Sequence, residues 1–100
     1  MNKLTPAQIE RLHCLQEEAA EVIQIASKIL RHGFDSSNPY DSSKTTNQML
    51  LEKELGDLNY WIKELSFHNE VNFKHINFYS DEKAVNAKKF TYYQEGSTLL

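Results

Sequence analysis

Residues 5–33, TPAQIERLHCLQEEAAEVIQIASKILRHG, decide the fold class. Thr5 is placed to N-cap a helix. Pro6 suits the first helical position, where a missing N–H costs nothing, and Gln8 closes a capping box. Ile9, Leu12, Leu15, Ala19, Val22, Ile23, Ala26, Ile29 and Leu30 then recur at spacings of three and four, the mark of one buried helical stripe. Arg31 and His32 followed by Gly33 supply a basic last turn and a stop. The spacing predicts a helix over residues 6–32.

On the C-terminal side, nine of the eleven residues from Gly33 to Ser43 are Gly, Asp, Ser, Asn or Pro. That composition predicts a long flexible loop over residues 33–44, acting as a solvated connector or as a mobile lid or partner-contacting arm. Thr45-Thr46-Asn47-Gln48 offers a second capping box, with Thr45 as cap and Gln48 closing it. Leu51, Leu55, Leu58, Ile62 and Leu65 carry a second helix to about Asn69. Residues 71–79 alternate weakly and suit either a short helix or extended chain. Ser80-Asp81-Glu82 predicts the start of a third helix, with acids at the positive end of its dipole, ending near Gly96. The expected architecture is all-α, three or four helices in a single domain over residues 1–100.

Composition narrows the function classes. One hundred residues suffice for one small domain, and 40% apolar with 25% charged residues is an ordinary globular balance. A net charge of −3 leaves no basic excess for holding nucleic acid non-specifically. The longest run without a charged residue is the seven residues Thr45–Leu51, too short for a membrane span or a secretory core. Cys14 is the only cysteine, which excludes an intrachain disulfide and favours a reducing, cytoplasmic setting. A chain this short buries about 60–65% of its unfolded surface, so assembly with further copies is expected.

The acids of the two long helices need an explanation. Glu18 and Glu21 lie about 60° apart on one face, one turn from each other, and Glu54 and Asp57 have the same relation. Both pairs border the apolar stripe. Carboxylates at a core edge are costly unless paired or metal-bound, and four converging would raise one another's pKa. A carboxylate-rich set without His or Cys at ligand spacing suits Mg²⁺ or Mn²⁺, which takes further ligands from substrate phosphates. Gly56, in mid-helix, is one more sign of a close approach by another helix or a ligand. An acidic pair is also common on a plain solvated face, so a non-enzymatic helical module that binds a protein partner is the rival reading.

Leu15-Gln16-Glu17-Glu18-Ala19-Ala20-Glu21, followed by Glu54-Leu55-Gly56-Asp57-Leu58, resembles the E-x-x-E … E-x-x-D pattern of the MazG-like, all-α nucleoside triphosphate pyrophosphohydrolases. The form is similar to the short, single-domain versions common in bacteriophages, which implies a cytoplasmic protein, in a host's cytoplasm if the chain is phage-encoded. The resemblance covers about residues 12–65 and, more loosely, 83–94. It implies that Glu18, Glu21, Glu54 and Asp57 hold Mg²⁺ in a helical bundle completed by a homodimer or homotetramer. It also implies cleavage of a nucleoside triphosphate between the α and β phosphates, giving the monophosphate and pyrophosphate. Asn86-Ala87-Lys88 resembles the family's phosphate-facing Asn-x-Lys. Where relatives often carry an arginine one turn later, this chain has Tyr92, and the 32 residues between Glu21 and Glu54 are a long spacing for the family.

Other roles follow from position and chemistry. Glu21 or Glu17 is the candidate general base for an attacking water. Lys28, one heptad after Glu21, is placed to meet a phosphate. Trp61, one turn beyond Asp57, is placed to stack on a nucleobase or to fill the core. His13 and Cys14 point about 100° apart and make a poor metal pair. His68 and His75 do not fall at metal-ligand spacing. A ferritin-like di-iron bundle would want Glu-x-x-His, which neither acidic pair provides.

Overall fold

A computed structural model describes residues 3–94, and among them three α-helices form and no strand: α1 (Pro6–His32), α2 (Asn47–Phe67) and α3 (Phe73–Asn86). The fold is all-α, as the helical spacing predicts. The chain divides into two compact units, residues 1–65 and 66–100. No helix is long and apolar enough to cross a membrane among the described residues.

In the first unit α1 begins and ends as the sequence predicts. Thr5 Oγ1 accepts from the Gln8 N–H (3.1 Å), and Gln8 Oε1 accepts from the Thr5 N–H (2.9 Å). Gly33 terminates the helix with its N–H donating to the Ile29 carbonyl at 2.6 Å. Its φ of 86° and ψ of 167° lie in a region essentially closed to residues with a Cβ.

Residues 33–46 carry their own hydrogen bonds. Asp41 accepts from the Ser43 N–H and hydroxyl and from the Thr45 N–H, at 3.0, 2.6 and 3.1 Å. Those donors, the Ser43 hydroxyl first, hold the Asp41 carboxyl down at about 2. An isolated antiparallel bridge joins Ser37 to Thr46. Just beyond it, fully buried Asn47 donates its side-chain N–H to the Gly33 carbonyl (2.9 Å) and its backbone N–H to Ser36 (2.9 Å). The start of α2 is thereby fastened beside the end of α1, and the two helices run antiparallel as a hairpin.

Thr45 is not the cap of α2. Thr46 is: its Oγ1 accepts from the Met49 N–H at 3.2 Å and its carbonyl begins the helical bonding. Asp41 has already engaged the Thr45 N–H, which leaves the next threonine to close the helix. Much of the expected buried stripe is also exposed. Ile25 is the buried residue of α1, whereas Ile23 and Leu30 are 67% and 88% exposed. One neighbouring helix covers one flank of α1, and an apolar stripe wider than that flank stays in the open.

In the second unit the third helix starts seven positions earlier than Ser80. Asn72 caps it, its side chain accepting from the Lys74 N–H at 2.8 Å. Ser80, Asp81 and Glu82 lie exposed in mid-helix, where water rather than the helix end solvates their polar groups. The helix stops at Asn86, and a 3₁₀ turn (Ala87–Lys89) follows. The expected end at Gly96 is therefore overturned, although Gly96 itself lies outside the described residues. Before this unit's helix, Asn69 turns the chain at φ 59°, a left-handed conformation that asparagine tolerates.

Candidate metal centre

The hairpin brings two helical faces together. From α1, Glu18 and Glu21 project one turn apart; from α2, Glu54 meets them. One carboxylate oxygen from each lies within 4.8 Å of the other two. All three residues are half-buried. Glu18 Oε2 and Glu54 Oε2 are buried and have no hydrogen-bond partner among the described residues.

Three carboxyls this close cannot all carry full charge. The Glu21 carboxyl is pushed up to about 7, chiefly by its hydrogen bond to Glu54, then by burial and by the charge of Glu18. Carboxyl can bond to carboxylate only by sharing a proton, and a proton shared between Glu21 and Glu54 relieves the repulsion. A divalent cation can do the same with greater charge, and it prefers carboxylate oxygen. The donor set thus fits a hard cation; no histidine or cysteine belongs to it.

Asp57 stands outside this group. Its Oδ2 accepts from the Lys53 ammonium at 2.8 Å, and Lys53 lies 3.7 Å from Glu54. The Asp57 side chain is 42% exposed, against 16% for Glu54. Three of the four expected ligands converge, and the fourth is taken up by a lysine of its own helix.

A cavity of about 440 Å³ opens beside the acids. Glu21, Gln24, Ile25 and Lys28 of α1 face Leu50, Lys53 and Glu54 of α2 across it. Lys28 is where a phosphate-contacting cation was expected. Gln24 and Lys53 were missed, yet each sits one helical turn from an acid already singled out, so stepping three residues on from Glu21 or four back from Asp57 finds neighbours of this face. Glu17 is exposed and does not line the cavity. Trp61 is half-buried, edge-on to Tyr60 with ring centroids 5.0 Å apart, and it too lies outside the lining.

Asn86 and Lys88 belong to the second unit. The Asn86 side-chain N–H donates to the Glu82 carbonyl at 3.1 Å, and Lys88 is exposed in the 3₁₀ turn. Tyr92 is 91% exposed. Cys14 is half-buried, and desolvation together with Glu10, Glu17 and Glu18 pushes its thiol up, away from the reactive thiolate. Gly56 has open space where a Cβ would stand, so no close approach within the described chain accounts for it.

No family model, curated protein or solved structure matches this chain.

Proposed function

We propose that this protein is a Mg²⁺-dependent nucleoside triphosphate pyrophosphohydrolase of the MazG-like kind, cleaving NTP or dNTP to the monophosphate and pyrophosphate. The observation that supports it is the convergence of Glu18, Glu21 and Glu54, from two helices, with one buried oxygen each of Glu18 and Glu54 that has no partner among the described residues. Such oxygens are expensive to bury and stand ready for a cation. Mg²⁺, with Mn²⁺ as its natural substitute, supplies neutralisation of phosphate charge and acidifies an attacking water.

The chain's own residues do the rest. Glu18, Glu21, Glu54 and Asp57 hold the cation, Asp57 after release from Lys53. Lys28 meets the phosphates in the cavity. Glu21 is better placed than Glu17 as general base, because it lines the cavity whereas Glu17 is exposed outside it. A homodimer or homotetramer completes the bundle, a reading supported by exposed Ile9, Leu12, Ile23 and Leu30 on one helix. The lone Cys14 suits the cytoplasm, a host's if the chain is phage-encoded.

Pyrophosphate release from a panel of canonical and damaged NTPs and dNTPs, with Mg²⁺ and with EDTA, tests this reading. Magnesium-dependent monophosphate and pyrophosphate are expected, and Glu18→Gln should abolish both without unfolding the protein. No turnover on any nucleotide by folded protein would sink the reading in favour of a partner-binding helical module.

A further inference from the structure

The cavity beside the acids has walls of both signs. Lys28 reaches it from α1 and Lys53 from α2, facing Glu21 and Glu54. An acidic pocket alone repels a phosphorylated ligand. Two ammonium groups set against carboxylates instead fit a ligand that carries negative charge and arrives with a divalent cation.

Lys53 has a second property. Its ammonium is bonded to Asp57 at 2.8 Å and lies 3.7 Å from Glu54, so it already acts as a cation for this end of the acidic group. The pair is solvent-exposed, 64% on the lysine and 42% on the aspartate. Exposed i,i+4 pairs of this type are weak and exchange readily. The flexible four-carbon stem lets the ammonium leave Asp57 and enter the cavity without any backbone movement.

We propose that Lys53 is a displaceable counter-cation: it neutralises Asp57 and Glu54 in the metal-free protein, and moves to the anionic end of a phosphorylated ligand when a divalent cation takes those carboxylates. This rests on the reading of the acids as a divalent-metal site. Metal and phosphate binding are then linked through one side chain, because each event favours the same position of Lys53. Lys53 is a binding residue that no motif in the sequence marked.

The two roles predict effects of opposite sign in one variant. Lys53→Met loses the competitor for Asp57 and should bind Mn²⁺ tighter by about two- to fivefold, the usual worth of an exposed ion pair. The Mn²⁺-loaded variant should bind inorganic tripolyphosphate about tenfold more weakly, through loss of one charge-assisted contact. Lys53→Arg should restore most of the tripolyphosphate affinity. Mn²⁺ titration followed by electron paramagnetic resonance, then calorimetry with tripolyphosphate, reads both. Unchanged or weaker Mn²⁺ binding by Lys53→Met, or unchanged tripolyphosphate binding, overturns the proposal while wild-type Mn²⁺ binding keeps the metal reading intact. A wild-type protein that binds no Mn²⁺ overturns both.

Discussion

Glu21 is held between two other carboxyls, and its proton is part of what lets α1 and α2 meet. Because its folded value of about 7 stands above the ordinary 4.5, protonation favours the folded state. That contribution is complete below about pH 4.5 and is lost as pH rises through about 7. In EDTA, the melting temperature should therefore fall from about pH 5 to about pH 8, and Glu21→Gln should flatten the slope. A wild-type profile with no fall in that window would show that the acids do not share a proton. Asp41 has the opposite sign. Its carboxyl is depressed from 3.8 to about 2, so its contribution is present above 3.8 and lost as pH falls toward 2. Acid melts of Asp41→Asn should lack that loss, and an unchanged acid limb would argue against the loop's hydrogen bonds to Asp41.

At the scale of the helices, caps and glycines make the sharper predictions. Thr46→Ala removes the cap of α2 and should cost about 0.5–2 kcal/mol, with Thr45→Ala costing less. Chemical denaturation of the two variants checks the order, and a reversed order would restore Thr45 as the cap. Gly56 faces open space, so Gly56→Ala should stabilise the isolated chain by roughly 0.5–1 kcal/mol through helix propensity alone. Destabilisation would instead mean that something outside the chain presses on that position.

Much of this level was legible in residues 5–33. The capping box, the proline at N1 and the glycine stop are local signals, and α1 obeys them. The acidic spacing likewise placed Glu18, Glu21 and Glu54 on facing surfaces. What local signals do not carry is competition between neighbours. Thr45 read as the cap of the second helix, but a loop aspartate holds its N–H and Thr46 caps instead. Ser80-Asp81-Glu82 looked like a helix start because nothing in those residues reveals that Asn72 has already begun one. Asp57 has the right spacing for a ligand, but a lysine four residues before it has the right spacing for an ion pair.

For the whole molecule, the uncovered apolar surface of α1 sets the expectation. Ile23 is 67% exposed and Leu30 88% on a chain whose partner helix covers the opposite flank. If copies of the chain cover this surface, Ile23→Glu should shift the protein toward monomer in sedimentation velocity, because a buried unpaired carboxylate opposes association. Wild-type protein that sediments as a monomer at all concentrations would remove the assembly from the proposed function.

The closed base of the loop has a consequence for how such a chain tolerates change. Asn47 grips Gly33, and the Ser37–Thr46 bridge pinches the strands of chain just outside that grip. Helix register is thus decided below the pinch, and residues 38–45 form an excursion whose two ends already touch. Segments can be lengthened, trimmed or exchanged there without sliding one helix past the other. The long spacing between Glu21 and Glu54 is then no obstacle to their meeting: the surplus chain hangs outside the clamp, away from the converging glutamates.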